Sequence, residues 1–176
     1  MRYKKNGFTI VELLIVIVVI AILAAISIVA YNGIQQRARN TTTISTVNAY
    51  TKLINLYITG EGLYPLTSST CLQVVTGSCS ARSTTMDANL QKFGSLPGGP
   101  IYTPVTYNYQ TQTVDGQNSP LMLIYLLDSI NQECGVPNVL NQTGSLTYAT
   151  DTTPPYNTNG NSGGRTLCYV HIPFSG

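Results

Sequence analysis

The sequence predicts an α+β protein in which one long N-terminal helix packs on a C-terminal antiparallel β-sheet head. Two observations predict this fold class. Apolar residues run almost unbroken from Phe8 to Tyr31, and the chain then keeps a helical apolar spacing up to residue 59. After Gly60 the pattern changes to short runs rich in Val, Ile, Thr and Tyr, as is typical of strands. The predicted organisation is a basic N-terminal stretch at 1–7, an apolar helical segment at 8–31, an amphipathic segment at 32–59 and a β-rich head at 60–176.

The apolar segment is long enough to cross a lipid bilayer as a helix. Residues 8–31 span roughly 36 Å at about 1.5 Å per residue, whereas a hydrocarbon core is about 30 Å thick. Arg2, Lys4 and Lys5 precede the segment, so the positive-inside tendency places the N-terminus in the cytoplasm and the bulk of the chain outside. Glu12 stands near the start of this segment, where an ionised carboxylate needs the interface or a partner.

The amphipathic segment carries one apolar stripe that requires a packing partner. Gly60, Gly62 and Pro65 then supply typical helix-ending residues. The stripe is predicted at three- and four-residue steps through Ile34, Ala38, Thr41, Ile44 or Ser45, Val47, Tyr50 or Thr51, Ile54, and Tyr57 or Ile58.

The head is predicted to contain a short helix at Thr84–Phe93 and loops at Thr67–Ser83 and Asp151–Gly164. The latter loop is the predicted variable contact surface. The predicted strands of the antiparallel sheet are Ile101–Tyr109, Leu121–Leu127, Ser145–Thr150 and Arg165–Ile172.

The composition points to an extracellular surface and away from nucleic acid. Only 9% of the residues are charged, so Thr, Ser, Asn, Gln and the 12 tyrosines are expected to provide the polar surface. Without the three basic residues at the N-terminus the chain has six basic and seven acidic residues, a net charge of −1. No basic patch remains to follow a phosphate backbone, so no nucleic-acid partner is predicted.

Four cysteines follow the apolar segment, which indicates disulfides in an oxidising compartment. Three pairings are consistent with the count. The short spacing favours Cys71–Cys79, and Cys134–Cys168 would then connect the last strand to the rest of the head. A zinc site is disfavoured because the chain has no CxxC pair and His171 is its only histidine.

No catalytic constellation is recognisable. The sequence has no GxSxG, HExxH, P-loop or dinucleotide-binding fingerprint. His171 lies in a predicted strand without a partner motif and is interpreted as a packing residue rather than a base. We therefore predict no enzyme activity, no metal and no cofactor.

The segment from Gly7 to Leu14, GFTIVELL, behind a short basic leader, resembles the signature of type IV prepilins and of the pseudopilins of type II secretion. The resemblance implies a pilin-like fold, with residues 1–7 as a leader peptide that a prepilin peptidase removes between Gly7 and Phe8. It implies that Phe8 becomes N-methylated and that Glu12 pairs with the N-terminal amine during assembly. The implied partners are other copies of the chain, the peptidase, the assembly platform with its motor, and the inner membrane before assembly at the cell surface.

The chain also departs from the family pattern. Many members have a proline near the position of Val29 and a glycine near that of Ala21, and both are absent here. Pairing of Cys134 with Cys168 is similar to the C-terminal disulfide loop of many pilins, whereas Cys71–Cys79 is not a general feature of the family.

Three functions are consistent with the sequence. The leading hypothesis is a structural subunit of a type IV pilus-like surface filament. The alternatives are a pseudopilin that drives secretion and, from another class, a monomeric membrane-anchored extracellular binding protein.

Overall fold

The structure is a computed structural model that describes residues 7–73, 82–98, 105–114, 117–143, 145–148 and 163–173. The chain divides into two compact units, residues 1–37 and 38–176. The predictions for residues 1–6, for Cys79 and for residues 151–162 of the predicted loop Asp151–Gly164 lie outside the described residues. The same holds for the first four residues of the strand predicted at Ile101–Tyr109.

The predicted long helix is confirmed as α1, Ile10–Glu61. It continues unbroken through the threonine-rich stretch, and several threonine hydroxyls along this half of α1 donate to the carbonyl oxygen four residues earlier. Such bonds join Thr42 to Ala38 at 2.9 Å, Thr43 to Arg39 at 3.1 Å, Thr51 to Val47 at 2.9 Å and Thr59 to Asn55 at 2.8 Å.

Gly62 ends α1. Its φ of 67° lies in the left-handed region that glycine adopts without a side-chain clash, and its N–H donates to the Ile58 carbonyl at 2.9 Å. Gly60, two residues earlier, allows a close approach, because a Cβ there would lie 2.6 Å from the ring of Phe93. Of the predicted helix-ending glycines, Gly62 is required for its backbone conformation and Gly60 for its lack of a side chain.

Within the second unit, α1 buries one stripe of side chains. From Val47 onwards every predicted position is buried, although the prediction omitted Leu53. The beginning of the predicted stripe was wrong: Ile34, Ala38 and Thr41 are exposed. Asn40 and Thr43 are buried instead. The buried apolar members are Val47, Tyr50, Leu53, Ile54, Tyr57 and Ile58.

The head contains a four-stranded antiparallel sheet in the order β1-β2-β3-β6. Its strands are β1 (Thr70–Gln73), β2 (Val105–Val114), β3 (Gln117–Asp128) and β6 (Arg165–His171). A further antiparallel pair, β4 (Leu140–Thr143) and β5 (Ser145–Tyr148), meets β2 in parallel at one position, Val114 against Leu146.

Strand β1 corrects the prediction that Thr67–Ser83 is entirely loop. With only four residues, TCLQ, this strand has a weak sequence signal, and it is formed by pairing with β2. Cys71 forms a bridge with Arg82, and the Ser83 N–H donates to the Thr70 hydroxyl at 3.0 Å. Ser83 also caps the short helix α2, Thr84–Gln91, by accepting from the Met86 N–H at 3.2 Å.

The core lies between α1 and the inner face of the sheet. Alternate residues of the strands point into it, such as Val105 and Tyr107 of β2 and Cys168 and Val170 of β6. Each large apolar side chain buried here contributes about 1.5–3 kcal/mol to the stability of the head.

Three tyrosines contradict the expectation that tyrosines mainly provide polar surface. Tyr50, Tyr107 and Tyr125 are buried, and each hydroxyl donates to a backbone carbonyl. The acceptors are Leu72 at 2.9 Å, Leu66 at 2.5 Å and Cys134 at 2.5 Å, respectively. The tyrosine hydroxyls thus satisfy one carbonyl group of β1 and two carbonyl groups of segments outside the strands.

Candidate functional site at the start of the first helix

The residues that precede α1 are exposed. Phe8 is 82% exposed, and a Cβ placed on Gly7 would meet nothing within 4 Å. Crowding within the chain therefore does not account for a glycine at position 7. The bond between Gly7 and Phe8 lies where an external enzyme can approach it.

Thr9 and Glu12 form a reciprocal capping box at the N-terminus of α1. The Glu12 Oε2 atom accepts from the Thr9 backbone N–H at 2.8 Å and from the Thr9 hydroxyl at 2.7 Å. In return the Thr9 hydroxyl accepts from the Glu12 backbone N–H at 3.3 Å. The first turn is completed by the Leu13 N–H, which donates to the Thr9 carbonyl at 3.3 Å.

This geometry holds the Glu12 carboxylate beside the N-terminus of α1, where the helix dipole favours a negative charge. Both bonds from Thr9 end on Oε2, so Oε1 takes no bond from Thr9. Cleavage between Gly7 and Phe8 would leave the Thr9 N–H, the Thr9 hydroxyl and Glu12 chemically unchanged. The capping box can therefore exist both in the full chain and in a chain that begins at Phe8.

The helix that follows presents apolar side chains all round. Large residues including Ile10, Val11, Leu13 and Leu14 are more than half exposed. Helix α1 contains one candidate membrane span by length and composition, near the N-terminus, and the most apolar stretch is not buried inside the structure. Within this stretch the Ser27 hydroxyl donates to the Leu23 carbonyl at 2.8 Å, which suits an environment without water.

The cysteines lie in the head, away in sequence from this site. Cys134 and Cys168 form a disulfide with a Cα–Cα distance of 5.9 Å, as predicted, and both residues are buried. Cys71 is also disulfide-bonded, and Cys79, its predicted partner, lies outside the described residues.

His171 is buried at the end of β6, and its backbone N–H donates to the Asn138 carbonyl at 3.0 Å. Burial lowers the pKa of its imidazole. Among the described residues no group of three or more His, Cys, Asp or Glu side chains is arranged to hold a metal ion.

Sequence reasoning missed two interacting residues. Thr9 was recognisable, since Thr-x-x-Glu before an apolar run is the sequence signature of a capping box. Asn40 could not be found this way, because its partner is 88 positions away: its side chain donates to the Asp128 carbonyl and accepts from the Asp128 N–H.

Comparisons with known proteins support the interpretation of the N-terminal segment. The family model for the prokaryotic N-terminal methylation motif matches residues 2–28. No curated protein and no solved structure gave a significant match to the chain. The matched residues include Gly7, Phe8, Thr9 and Glu12. Residues 2–28 of this chain are thus a prokaryotic N-terminal methylation motif, the hallmark of type IV pilins and pseudopilins.

Proposed function

We propose that this protein is the precursor of a type IV pilus-like filament subunit without enzymatic activity. The observation that carries the proposal is the methylation motif at the exposed start of an apolar helix. A prepilin peptidase removes residues 1–7, Phe8 is N-methylated, and residues 8–31 hold the chain in the inner membrane until it polymerises. The head then forms the surface of an extracellular filament.

Glu12 sets the axial register between subunits. An ionised carboxylate costs about 3 kcal/mol at the centre of a bilayer on insertion scales and less near the interface. Once Glu12 is surrounded by the apolar helices of a filament, a positive partner offsets the cost of its charge. The amine of a neighbouring chain that begins at Phe8 is such a partner. The Thr9 bonds to Oε2 support this role, because they orient the carboxylate and leave Oε1 to accept from that amine.

Mass analysis of the protein sheared from cells tests the processing steps. We expect a chain that begins at Phe8 with one added methyl group. A Gly7→Ala variant should retain residues 1–7. If wild type and variant both begin at Met1 and remain in the membrane, the chain is an unprocessed anchor, as expected for the membrane-anchored binding protein.

A Glu12→Ala variant tests the register role. We expect normal insertion and processing but at least about tenfold fewer filaments, because one buried ion pair per subunit is lost. Glu12→Gln removes the charge of this side chain but keeps its shape, and it should reduce the number of filaments similarly. Wild-type filament numbers in both variants would contradict the pairing.

The motif is shared by pilins and pseudopilins, so the second candidate is a pseudopilin of a type II secretion system. Long fibres outside the cell support the pilus function. Secretion that depends on this chain, with no external fibre, supports the pseudopilin function.

A further inference from the structure

The outer face of the sheet is apolar where β3 and β6 pair. Every second residue of these strands points into the core, so the residues between them lie on the opposite face. On that face Ile124 pairs with Tyr169, and Leu126 pairs with Leu167. All four are half-buried, and none belongs to the core cluster or to the half-buried side chains around it. An antiparallel sheet commonly carries polar residues on the face away from its core, so these four residues, the outer sheet patch, indicate a further contact.

A second apolar patch lies at the end of α1. Leu56 is 41% exposed, and Leu63, which directly follows Gly62, is 64% exposed. A residue in the position of Leu63 often packs back on the last turn of a helix that ends in a left-handed glycine, but here most of its side chain stays exposed. These two leucines, the helix-end patch, therefore present apolar surface that the described chain leaves uncovered.

The two patches lie on opposite sides of the head. α1 packs on the inner face of the sheet through a stripe that includes Ile54, and Leu56 lies about 200° further around the helix than Ile54. Leu56 therefore points away from the sheet, whereas the outer sheet patch points away from α1. A two-fold contact brings one patch against itself, but two different patches on opposite sides suit a head-to-tail contact that repeats along a filament.

The small size of both patches indicates where such a contact forms. Each patch consists of a few partly exposed side chains, with an area of the order of a few hundred Å² or less. A stable pair of proteins buries about 800 Å² on each partner, so two heads do not hold each other alone. The contact forms where the apolar segments of neighbouring copies already keep the heads at a millimolar effective concentration. A second copy of this chain in the filament is thus the partner that patches of this size fit.

We propose that the outer sheet patch of one copy binds the helix-end patch of the next copy along the filament. Leu56 and Leu63 of one head lie against Leu126 and the apolar side chains around it on the neighbouring head. This inference rests on the proposed filament function, and it adds a contact between heads to the packing of the apolar segments. Because the contact is head-to-tail, it continues the filament instead of closing a dimer.

Cysteine cross-linking in filaments sheared from cells tests the contact. The full-length Leu56→Cys/Leu126→Cys variant is oxidised mildly and separated by non-reducing electrophoresis. A disulfide forms where two Cα atoms lie within about 7 Å, and the two positions lie on opposite sides of one head, so each cross-link joins two copies. We expect a ladder of dimers, trimers and larger species, and only monomers in each single variant.

The matched control is Ser45→Cys/Leu126→Cys. Ser45 is exposed on the same side of α1 as Leu56, but it lies about 16 Å earlier along the helix. This variant should give at least about tenfold fewer cross-linked chains, because its two cysteines are too far apart between copies.

Charge variants test the same contact without new thiols. Leu56→Glu places a carboxylate in the apolar contact, and it should reduce the filament mass that survives mild detergent by at least about tenfold. Leu56→Glu with Leu126→Lys restores charge complementarity and should recover most of this loss, whereas Ser45→Glu should change nothing. The unassembled Leu56→Glu and Ser45→Glu chains should unfold at the denaturant concentration of the wild type, because both positions are exposed.

Three results would overturn the inference. Filaments without the ladder would refute the contact between heads and leave the filament function intact. A cross-linked dimer in the Leu126→Cys single variant would mean that two sheet faces pair with each other. If a maleimide does not label Leu126→Cys in the unassembled chain, the chain itself covers this face. Absence of filaments from wild-type cells would instead contradict the proposed function on which the inference rests.

Discussion

The two halves of α1 differ in what covers their apolar side chains. Ile17, in the more apolar half, is 56% exposed, whereas Ile54, in the amphipathic half, is fully buried against the sheet. The half with the stronger hydrophobic signal is thus the one that the described chain leaves uncovered. Hydrophobicity in a sequence indicates that a segment needs burial, and the pattern around it indicates whether the chain itself or an outside partner provides that burial.

The most direct way to test this comparison is to make the same change in each half. Ile54→Ala should lower the free energy of unfolding of the head by about 2–5 kcal/mol, because it removes buried methyl groups and leaves a cavity. Ile17→Ala should leave that free energy unchanged. Denaturant unfolding in detergent, followed by tyrosine near-UV circular dichroism, measures both. A comparable loss in the two variants would mean that the apolar half packs on the head.

Removing the Cys134–Cys168 disulfide tests whether the stability of the head and the membrane insertion of the apolar segment are independent. The bridge joins residues 34 positions apart, so the Cys134→Ala/Cys168→Ala variant should lose about 3–4 kcal/mol of head stability by the chain-entropy estimate. Insertion of the apolar segment should be unaffected, since it contains no cysteine. The unfolding midpoint and the membrane-bound fraction are measured on the same sample, and loss of insertion would contradict the independence of the two regions.

Asn40 lies where the covered part of α1 begins. Asn40→Ala should cost about 1–3 kcal/mol, because the Asp128 N–H loses its acceptor in a partly buried position. Asn48→Ala is the matched control, because Asn48 is exposed and makes one long bond of 3.5 Å to the Gly135 carbonyl. This variant should change the free energy of unfolding by no more than about 0.5 kcal/mol. Thermal unfolding of both variants measures the difference, and equal effects would show that the Asn40 bonds add no stability.

The burial of Asn40 also bears on sequence motifs. Asn40-Thr41-Thr42 has the form of a glycosylation sequon, but Asn40 is buried and its amide is bonded to Asp128 and Gln132. A glycan on this nitrogen would disrupt both contacts. A short motif predicts a modification only when the fold leaves its acceptor exposed.

The sequence predicted the parts of the structure that depend on local or periodic signals. These include α1, its glycine end, α2 and the central strand β3, because each follows from spacing within a few residues. It did not predict β1 or the turn after β3. Both depend on partners far along the chain: Thr70 of β1 pairs with Tyr107 of β2, and Asp128 bonds to Asn40.

The tyrosines illustrate the same limit. Composition alone assigned them to the surface, yet Tyr50 and Tyr125 are core residues whose hydroxyls reach backbone carbonyls. A tyrosine side chain can lie at the surface or in the core, and it is buried where a hydrogen-bond acceptor for its hydroxyl lies within reach.

The smallest expected effect is a pH dependence that belongs to the head alone. Because burial lowers the pKa of His171, the unfolded chain binds a proton at a higher pH than the folded chain does. Head stability should therefore be constant above about pH 6.5 and should fall as the pH drops below that value toward the lowered pKa, with a slope of at most about 1.4 kcal/mol per pH unit. His171 is the only histidine, and carboxylates titrate mainly below pH 5, so His171→Gln should remove the slope between pH 6.5 and 5. If acidification across this range instead stabilised the head, the folded chain would bind the proton more tightly than the unfolded chain, which would contradict a lowered pKa of His171.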